Sequence, residues 1–593
     1  MVPIFQRLAG LETEYAIRFQ SPPAPGAAPS RFRQFESIVA VSRRQIPTVP
    51  ARYFKEGVFT ANGGAVWFEA ERPSAGGGLI EGATPECRGP RQLVTYQMAQ
   101  DRTLADCAQQ SRHDLALIKN DRDAQDNIYG AQENYEAVLA SGWRLAAWRL
   151  GLVLLFPLAV ITWVSILGCV LVTLAYFLVA GLFYIPLRFL TGRHERLTLY
   201  LFGRDISEGR ETCVHLPVWL EASLHAITRL LTGPLAVSLY WLLRSTAFAH
   251  IHARLLPFLV SRAVLGGAGM IDAKGQFQLA DKGPAINCTY GFGGILWDRP
   301  IYTFGHFFKA IYAESWFSPR EYAALFSAQQ RLQIGIGDSN MCPTAQYLRV
   351  GTTLLVLDAI DAGFFGYHPR LKSPIRALRA ICGDPTLQVK VPLRGEPPAT
   401  ALQLQRFYLS ACRVFVGSQP QAPREAHEVL DLWKRALDEL EMLAQGESTP
   451  KWLVGTVDWV TKRYLMDHAA PDLTWSERKK IDIRYHELTD DGYFALLRSA
   501  GLVPEVVQED AILRAQRLPP ADTPATTRGH YIREFASGDE PLTVNWKSVV
   551  LGRGWSARTV RLNLYGRRLA SPARVRAPHR DGRSERNRRR KKG

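Results

Sequence analysis

The chain has no C-x-x-C pair: its eight cysteines (Cys87, Cys107, Cys169, Cys213, Cys288, Cys342, Cys382, Cys412) stand singly at irregular spacing, which argues against a zinc site or a disulfide framework. It also lacks an internal repeat and a G-x-x-x-x-G-K-[ST] phosphate loop, and LGGAGM at 265–270 does not have dinucleotide-loop spacing. The opening run MVPIFQRLAGLETEYAIRF is too short in apolar residues and too soon acidic for a signal peptide, so a reducing, cytosolic setting is expected for the globular part. At 47% hydrophobic and 10% aromatic residues a mostly disordered chain is excluded, and 593 residues predict more than one core or a large core with an insertion.

The formal charge is +17, yet +8 of it lies between Arg574 and Lys592, where ten basic residues face only Asp581 and Glu585. Such a run without apolar periodicity reads as a solvated, disordered tail. Anionic lipid or nucleic-acid contact are the alternatives for it, although no specific nucleic-acid partner is expected.

What is present in excess is apolar length. Gly151 to Leu187 is a 37-residue run without a charge, well past the ~20 residues one membrane-crossing helix needs. Leu230–Leu243, bounded by Arg229 and Arg244, is only 14 residues and suits an interfacial or buried helix better. Two packed spans inside 151–187 are expected, forming a membrane hairpin, with Arg144 and Arg149 before it and Arg188, Arg193 and Arg196 after it placing both ends in the cytoplasm. One span with a return near 230–248 is the alternative, and a hydrophobic helical pair outside any membrane is the plainest one.

Elsewhere AVWFEA alternates like a strand, LQIGIG is a continuous strand-like run, and HEVLDLWKRALDELEMLA (427–444) has helical spacing, so the class is mixed α and β. SPPAPGAAPS (21–30) and RLPPADTPATT (517–527) read as loops. In Gly-Leu-Glu-Thr-Glu-Tyr (10–15), Glu12 and Glu14 are two apart, so on a strand both carboxylates leave the same face. Asn62-Gly-Gly-Ala-Val-Trp-Phe-Glu69 likewise sends Ala65, Trp67 and Glu69 to one face, and Glu81-Gly-Ala-Thr-Pro-Glu-Cys87 follows a glycine-rich turn. Together these acids could line an oxygen site for Mg²⁺.

GLETEY, NGGAVWFE and EGATPEC resemble, in order and spacing, the Glu-x-Glu opening, the Asn-Gly-Ala-Arg-x-Tyr-x-Asp strand and the acidic loop of the Pup ligase and Pup deamidase family, the proteasome accessory factor A group. Lys119-Asn120, Asp123, Tyr129-Gly130, Glu133-Asn134-Tyr135 and Leu256-Pro-Phe-Leu-Val-Ser-Arg262 continue the resemblance on either side of the apolar segment. Ile336-Gly-Asp-Ser-Asn-Met341, Gly351-Thr-Thr, Pro374-Ile-Arg-Ala377, Asp458-Trp-Val, Tyr485-His486, Thr526-Thr-Arg528 and Val544-Asn-Trp546 carry it to the far end. The resemblance implies a glutamine-synthetase-like carboxylate-amine ligase fold, α/β (α+β), with a β-sheet cradle, a smaller C-terminal domain and an inserted membrane hairpin. The expected divisions are 1–142 and 253–485 for the two parts of the catalytic domain, 143–252 for the insertion, 486–570 for the C-terminal domain and 571–593 for the tail.

The same resemblance implies ATP- and Mg²⁺-dependent joining of the C-terminal Glu side-chain carboxylate of a Pup-like modifier to a lysine amine of a protein substrate. A deamidase or isopeptidase of the same fold, or a catalytically impaired membrane-anchored scaffold, are the alternatives. It implies Glu12 and Glu81 as metal carboxylates, Thr84 and Trp546 as nucleotide contacts and Glu69 in place of the catalytic Asp. Three departures cluster on one strand face: Ala65 stands for the nucleotide-binding Arg, Trp67 for a Tyr, and Glu69 is one methylene longer than Asp. Gln132 and Gln333 each replace a His of the pattern, and Pro300-Ile-Tyr-Thr-Phe-Gly-His306 matches it only faintly. The tether implies contact with membrane lipid at the bacterial inner membrane, with the catalytic domain on the cytoplasmic side.

Overall fold

The computed structural model describes residues 3–20, 29–51, 56–69, 78–122, 128–191, 197, 200–202, 217–292, 298–446, 448–470 and 472–562. The expected tail at 571–593 and the glycine-rich turn after Glu69 lie outside the described residues, as does Asp123.

The central strand is β1 (Leu8–Phe19), whose alternation of half-buried and buried side chains gives it two different faces. Around it are β2 (Thr48–Pro50), β3 (Gly57–Thr60), β4 (Ala65–Glu69), β5 (Leu79–Ala83), β6 (Cys87–Arg88), β7 (Leu115–Ile118) and β8 (Gln132–Val138). A two-stranded ribbon, β9 (Met270–Ile271) with β10 (Phe277–Gln278), precedes β11 (Cys288–Tyr290), β12 (Pro300–Thr303) and β13 (Gln329–Ile334). The main sheet runs β11-β12-β13-β8-β1-β5-β4-β3-β2, with β6 and β7 also paired to β1. It is mixed: β11 and β12 are parallel and the other pairs antiparallel.

The buried side of β1, carrying Leu11, Tyr15 and Ile17, faces helices α1 (Arg31–Gln45) and α2 (Pro90–Gln109) and the main core. α3 (Gly142–Thr191) leaves the sheet directly after β8, α4 (Val218–Thr246) returns, and α5 (Ala249–Ser261) re-enters the core. α6 (Pro343–Asp361), α7 (Ala401–Gly417) and α8 (Arg424–Ala444) complete the helical layer, α8 containing the expected 427–444 helix. A second ribbon, β14 (Lys390–Val391) with β15 (Ala399–Thr400), precedes α7. The loop expected at 517–527 ends early: Pro524 opens α9 (Pro524–Phe535), with Thr523 capping it and proline's fixed φ suiting the first turn. Beyond it, β16 (Leu542–Val544), β17 (Ser548–Leu551) and β18 (Arg558–Arg561) form a small antiparallel sheet. It is not a detached domain: α9 and β16 share an apolar cluster with β3 and β4 through Phe59, Ala65, Ile532 and Val544.

The hairpin expected inside 151–187 does not form. α3 is one helix of 50 residues, passing through Pro157, Gly168 and Pro186. No cluster of turn residues interrupts the run, and isolated Pro or Gly bends a helix of this length without reversing the chain. Its partner is α4, whose Leu235, Leu239 and Leu243 are buried. The two helices are long and apolar enough to cross a membrane, and only 6% of the most apolar 18-residue window of α3 is buried, against 33% for α4. With α3 unbroken from Gly142 to Thr191, position 188 lies near the end opposite Arg144 and Arg149, which removes the charge argument for a hairpin; Arg193 and Arg196 lie outside the described residues.

Candidate active site

Strand register lays the acidic residues out in rows. In the first row Gln132 of β8, Glu12 of β1, Ala83 of β5, Ala65 of β4 and Phe59 of β3 are successive cross-strand partners. The next contains Glu14, Glu81, Trp67 and Gly57, and the third pairs Glu69 with Leu79. Cross-strand partners share a face, so Glu12, Glu14, Glu81 and Glu69 all belong to the side of the sheet away from α2. Gly57 is required opposite Trp67: a Cβ there would stand 2.4 Å from Val66 O and 2.7 Å from the Trp67 Cβ.

Each carboxylate is held differently. Glu12 accepts from Arg331 Nη1 at 3.4 Å and from Gln333 Nε2 at 3.3 Å, both reaching across β8 from β13. Glu14 accepts the backbone N–H of Gly130 at 2.9 Å. Glu81 is buried between Glu14 and Trp67, and Glu69 is half-buried at the end of β4. His306 is half-buried near Arg331 and Lys547; desolvation, then the neighbouring Arg331, pushes it well below the ordinary histidine range, so it is neutral at pH 7.

Thr84 does not turn its hydroxyl oxygen outward. Thr84 Oγ1 accepts from Leu11 N at 3.0 Å and Thr84 N donates to Leu11 O at 2.9 Å, pinning the acidic loop to β1. Trp546, in the turn between β16 and β17, sits on the sheet face with ring centroids 5.2 Å from Phe59 and 6.1 Å from Trp67, both edge-on. The Arg528 guanidinium lies 4.5 Å from the Trp546 ring centre, is fully buried, and forks onto both oxygens of Glu86 while donating to Gly63 O at 2.8 Å. Ala65 is 1% exposed within this aromatic floor, so the missing Arg is replaced by packed rings and not by open space.

Sequence reading therefore brings Glu12, Glu81, Glu69 and Trp546 to one face and leaves Thr84 stitching its edge. It did not single out Arg331, and it named Arg528 and Glu86 only within the motifs Thr526-Thr-Arg528 and EGATPEC, without a role. Alternation in QQRLQI, which puts Arg331 and Gln333 on one side of β13, was the available signal for the first.

Among the described residues no three His, Cys, Asp or Glu side chains converge as a ready metal cage. Mg²⁺ does not need one, since it keeps several waters and is bound by one or two carboxylates with substrate phosphates. The Glu14–Glu81 pair, with Glu12 one row away, fits such a cation.

Comparison with known proteins agrees with this architecture. The family model described as Pup-ligase protein matches residues 7–550. A depupylase of Acidothermus cellulolyticus is 33% identical over 323 residues, which is 52% of this chain and 60% of that protein. A Pup deamidase/depupylase of Mycolicibacterium smegmatis is 32% identical over 326 residues, 53% of this chain and 60% of that protein. A Pup–protein ligase of Mycobacterium avium is 32% identical over 322 residues, 52% of this chain and 65% of that protein. The chain thus spans under two thirds of the length of these curated relatives. The crystal structure of the complex between the prokaryotic ubiquitin-like protein Pup and its ligase PafA superposes with a TM-score of 0.59 at 20% identity, covering 95% of this chain and 91% of that one. A PafA structure in complex with ADP gives 0.54 at 19% identity, covering 92% and 93%. These superpositions establish a shared mixed α/β fold, and with a family model matched over most of its length the chain belongs to the Pup-ligase protein family.

Proposed function

We propose that this protein is an ATP-dependent ligase that joins the side-chain carboxylate of the C-terminal Glu of a Pup-like modifier to a lysine amine. The observation that carries the reading is the row Glu14–Glu81–Trp67, flanked by Glu12 and Glu69 and roofed by Trp546, within a family-matched sheet. In this reading ATP phosphorylates the modifier's carboxylate and the lysine nitrogen displaces phosphate from the acyl phosphate. Glu12 and Glu81, with Glu14 beside them, would hold Mg²⁺, which would offset phosphate charge. Glu69 orients the incoming amine and takes its proton. Trp546 offers its indole to the base, and Thr84 fixes the loop that carries Glu81. Arg331 supplies cationic charge on a face where Ala65 supplies none.

The first test is calorimetry of Mg²⁺-ATP binding to detergent-purified protein beside Glu12→Ala. Binding that is weakened in the variant supports the cradle; no binding to the intact protein overturns it in favour of the scaffold reading. Hydrolysis of a modifier's amide or isopeptide bond is the second reading, favoured by the depupylase among the relatives. Product decides between them, because ligation consumes ATP stoichiometrically and hydrolysis does not.

The α3–α4 pair, within the 143–252 insertion, is proposed as the membrane element. Both ends join the same body, so crossings must be even: out on α3, back on α4, at the inner membrane with lipid as partner. A need for ATP places the body on the cytoplasmic side. Resistance of the membrane-bound protein to alkaline carbonate tests this, and Val172→Lys, in the exposed stretch of α3, is expected to oppose insertion by about 3 kcal/mol. Release of the intact protein by carbonate would count against the insertion.

A further inference from the structure

The turn between β16 and β17 crosses the cradle and is tied down on its far side. Asn545 Oδ1 accepts from Lys547 N at 2.8 Å and Ser548 N at 2.7 Å, which sets the turn. Trp546 then points to Phe59 and Trp67, while Lys547 reaches the opposite wall and pairs with Glu314 at 2.9 Å and with Glu321. His306 lies within electrostatic reach of both Lys547 and Arg331, and Arg331 donates to Glu12, so the tie lies toward the Glu12 end of the face.

The wall that receives Lys547 is also the seat of α3. Glu314 closes a π-helical turn, Ala310–Glu314, in which Ile311 O accepts from Trp163 Nε1 of α3 at 2.7 Å. Tyr322, next to Glu321, donates its hydroxyl to Leu152 O of α3 at 2.6 Å, and Trp148 Nε1 donates to Leu325 O at 2.7 Å. Residues 310–325 thus hold α3 on one side and Lys547 on the other. A π-turn is rare and frequently sits at functional sites, and in this one Ile311 O accepts from Trp163.

We propose that Lys547 is a positioning residue for the nucleotide: its tie to Glu314 and Glu321 holds Trp546 over the strand face, and the seating of α3 on the same segment sets how firmly. The inference rests on the nucleotide-binding reading above. Lys547 touches no reacting atom in it; it acts through Trp546.

The experiment measures ATP affinity, the KM for ATP, kcat and thermal midpoint for the full chain in lipid nanodiscs, with Lys547→Met, Lys547→Arg and Trp163→Phe. Lys547→Met is expected to raise the Kd and KM for ATP roughly fivefold with kcat within about twofold. Lys547→Arg, which can still pair with both carboxylates, restores affinity. Trp163→Phe, which removes the bond to Ile311 O and trims the ring packing against Phe156 and Tyr322, weakens ATP in the same direction. Failure of the unmodified protein to bind ATP would overturn the proposed function. ATP binding by the unmodified protein together with unchanged affinity in Lys547→Met overturns the positioning role; so does a loss in Lys547→Met that follows a lowered midpoint and is not rescued by Arg. Unchanged affinity in Trp163→Phe overturns the link to α3.

Discussion

Glu14 and Glu81 stand directly opposite one another across the antiparallel β1–β5 pair. Like charges in that relationship destabilise a sheet by up to about 1 kcal/mol, and Glu81 is nearly inaccessible to water. A divalent cation shared by the pair reverses the sign. Millimolar Mg²⁺ is therefore expected to raise the thermal midpoint of the unmodified protein, whereas Glu81→Gln is more stable than the parent without metal and gains little on adding it. An equal Mg²⁺ response in both proteins would show that the ion binds elsewhere.

Ala65 occupies the place of an arginine in the family's strand pattern, but the space beside it is taken by Phe59, Trp67 and Trp546. Restoring that residue alone should not restore a phosphate contact. Ala65→Arg forces a guanidinium into an apolar cluster and is expected to cost at least about 2 kcal/mol by denaturant unfolding. Adding Trp67→Tyr, which removes the larger ring on the same strand face, recovers part of the loss. A single variant as stable as the parent would mean that the rings yield readily.

These two cases mark where the sequence was readable. Glu12, Glu14, Ala65, Trp67 and Glu69 could be placed because a strand alternates with period two, and the structure puts them on the face that alternation requires. What that period cannot tell is what lies over the face. Ala65 reads as a vacancy in a motif and is a filled position in three dimensions. The hydroxyl oxygen of Thr84 is committed to Leu11, a bond between segments 73 residues apart. The Lys547–Glu314 tie joins positions 233 apart, with no local pattern to announce it. The apolar run at 151–187 gave length but not turns, since a chain with no clustered breaker carries equal hydrophobic signal as one helix or two.

Arg528 is buried, forks onto Glu86 and holds Gly63 O, so it ties α9 to the β3–β4 turn and the acidic loop together. Gly63 has φ +86°, and a Cβ there would stand 2.8 Å from the Ala525 Cβ of α9, so the contact depends on glycine. Arg528→Met strands Glu86 without its cation and is expected to destabilise by about 3 kcal/mol in chemical denaturation. Glu86→Gln with Arg528→Met should recover part of that loss, because the pair no longer leaves a charge behind. Additive losses in the double variant would contradict the pairing.

A buried acidic cluster makes the last prediction, on pH. Asp121 lies with Asp338 and Asp281 near it; burial first, then Asp338, pushes it up from 3.8 to about 6, against the opposing pull of Lys282 and the hydrogen bonds from Ser339. Its Oδ1 accepts from Ala131 N and Ser339 Oγ, and its Oδ2 from Ser339 N. Because the folded protein holds this proton more tightly than the unfolded chain, stability falls as pH rises from about 4 to about 6, by at most about 1.4 kcal/mol per pH unit, and the loss is complete above that window. Asp121→Asn keeps an oxygen for two of the three donors and cannot ionise. Its unfolding free energy should lose that downward slope between pH 4 and 6 while other groups continue to titrate. A slope unchanged from the parent would place the proton on another member of the cluster, with Asp281, raised by burial and by Asp121, the group to substitute next.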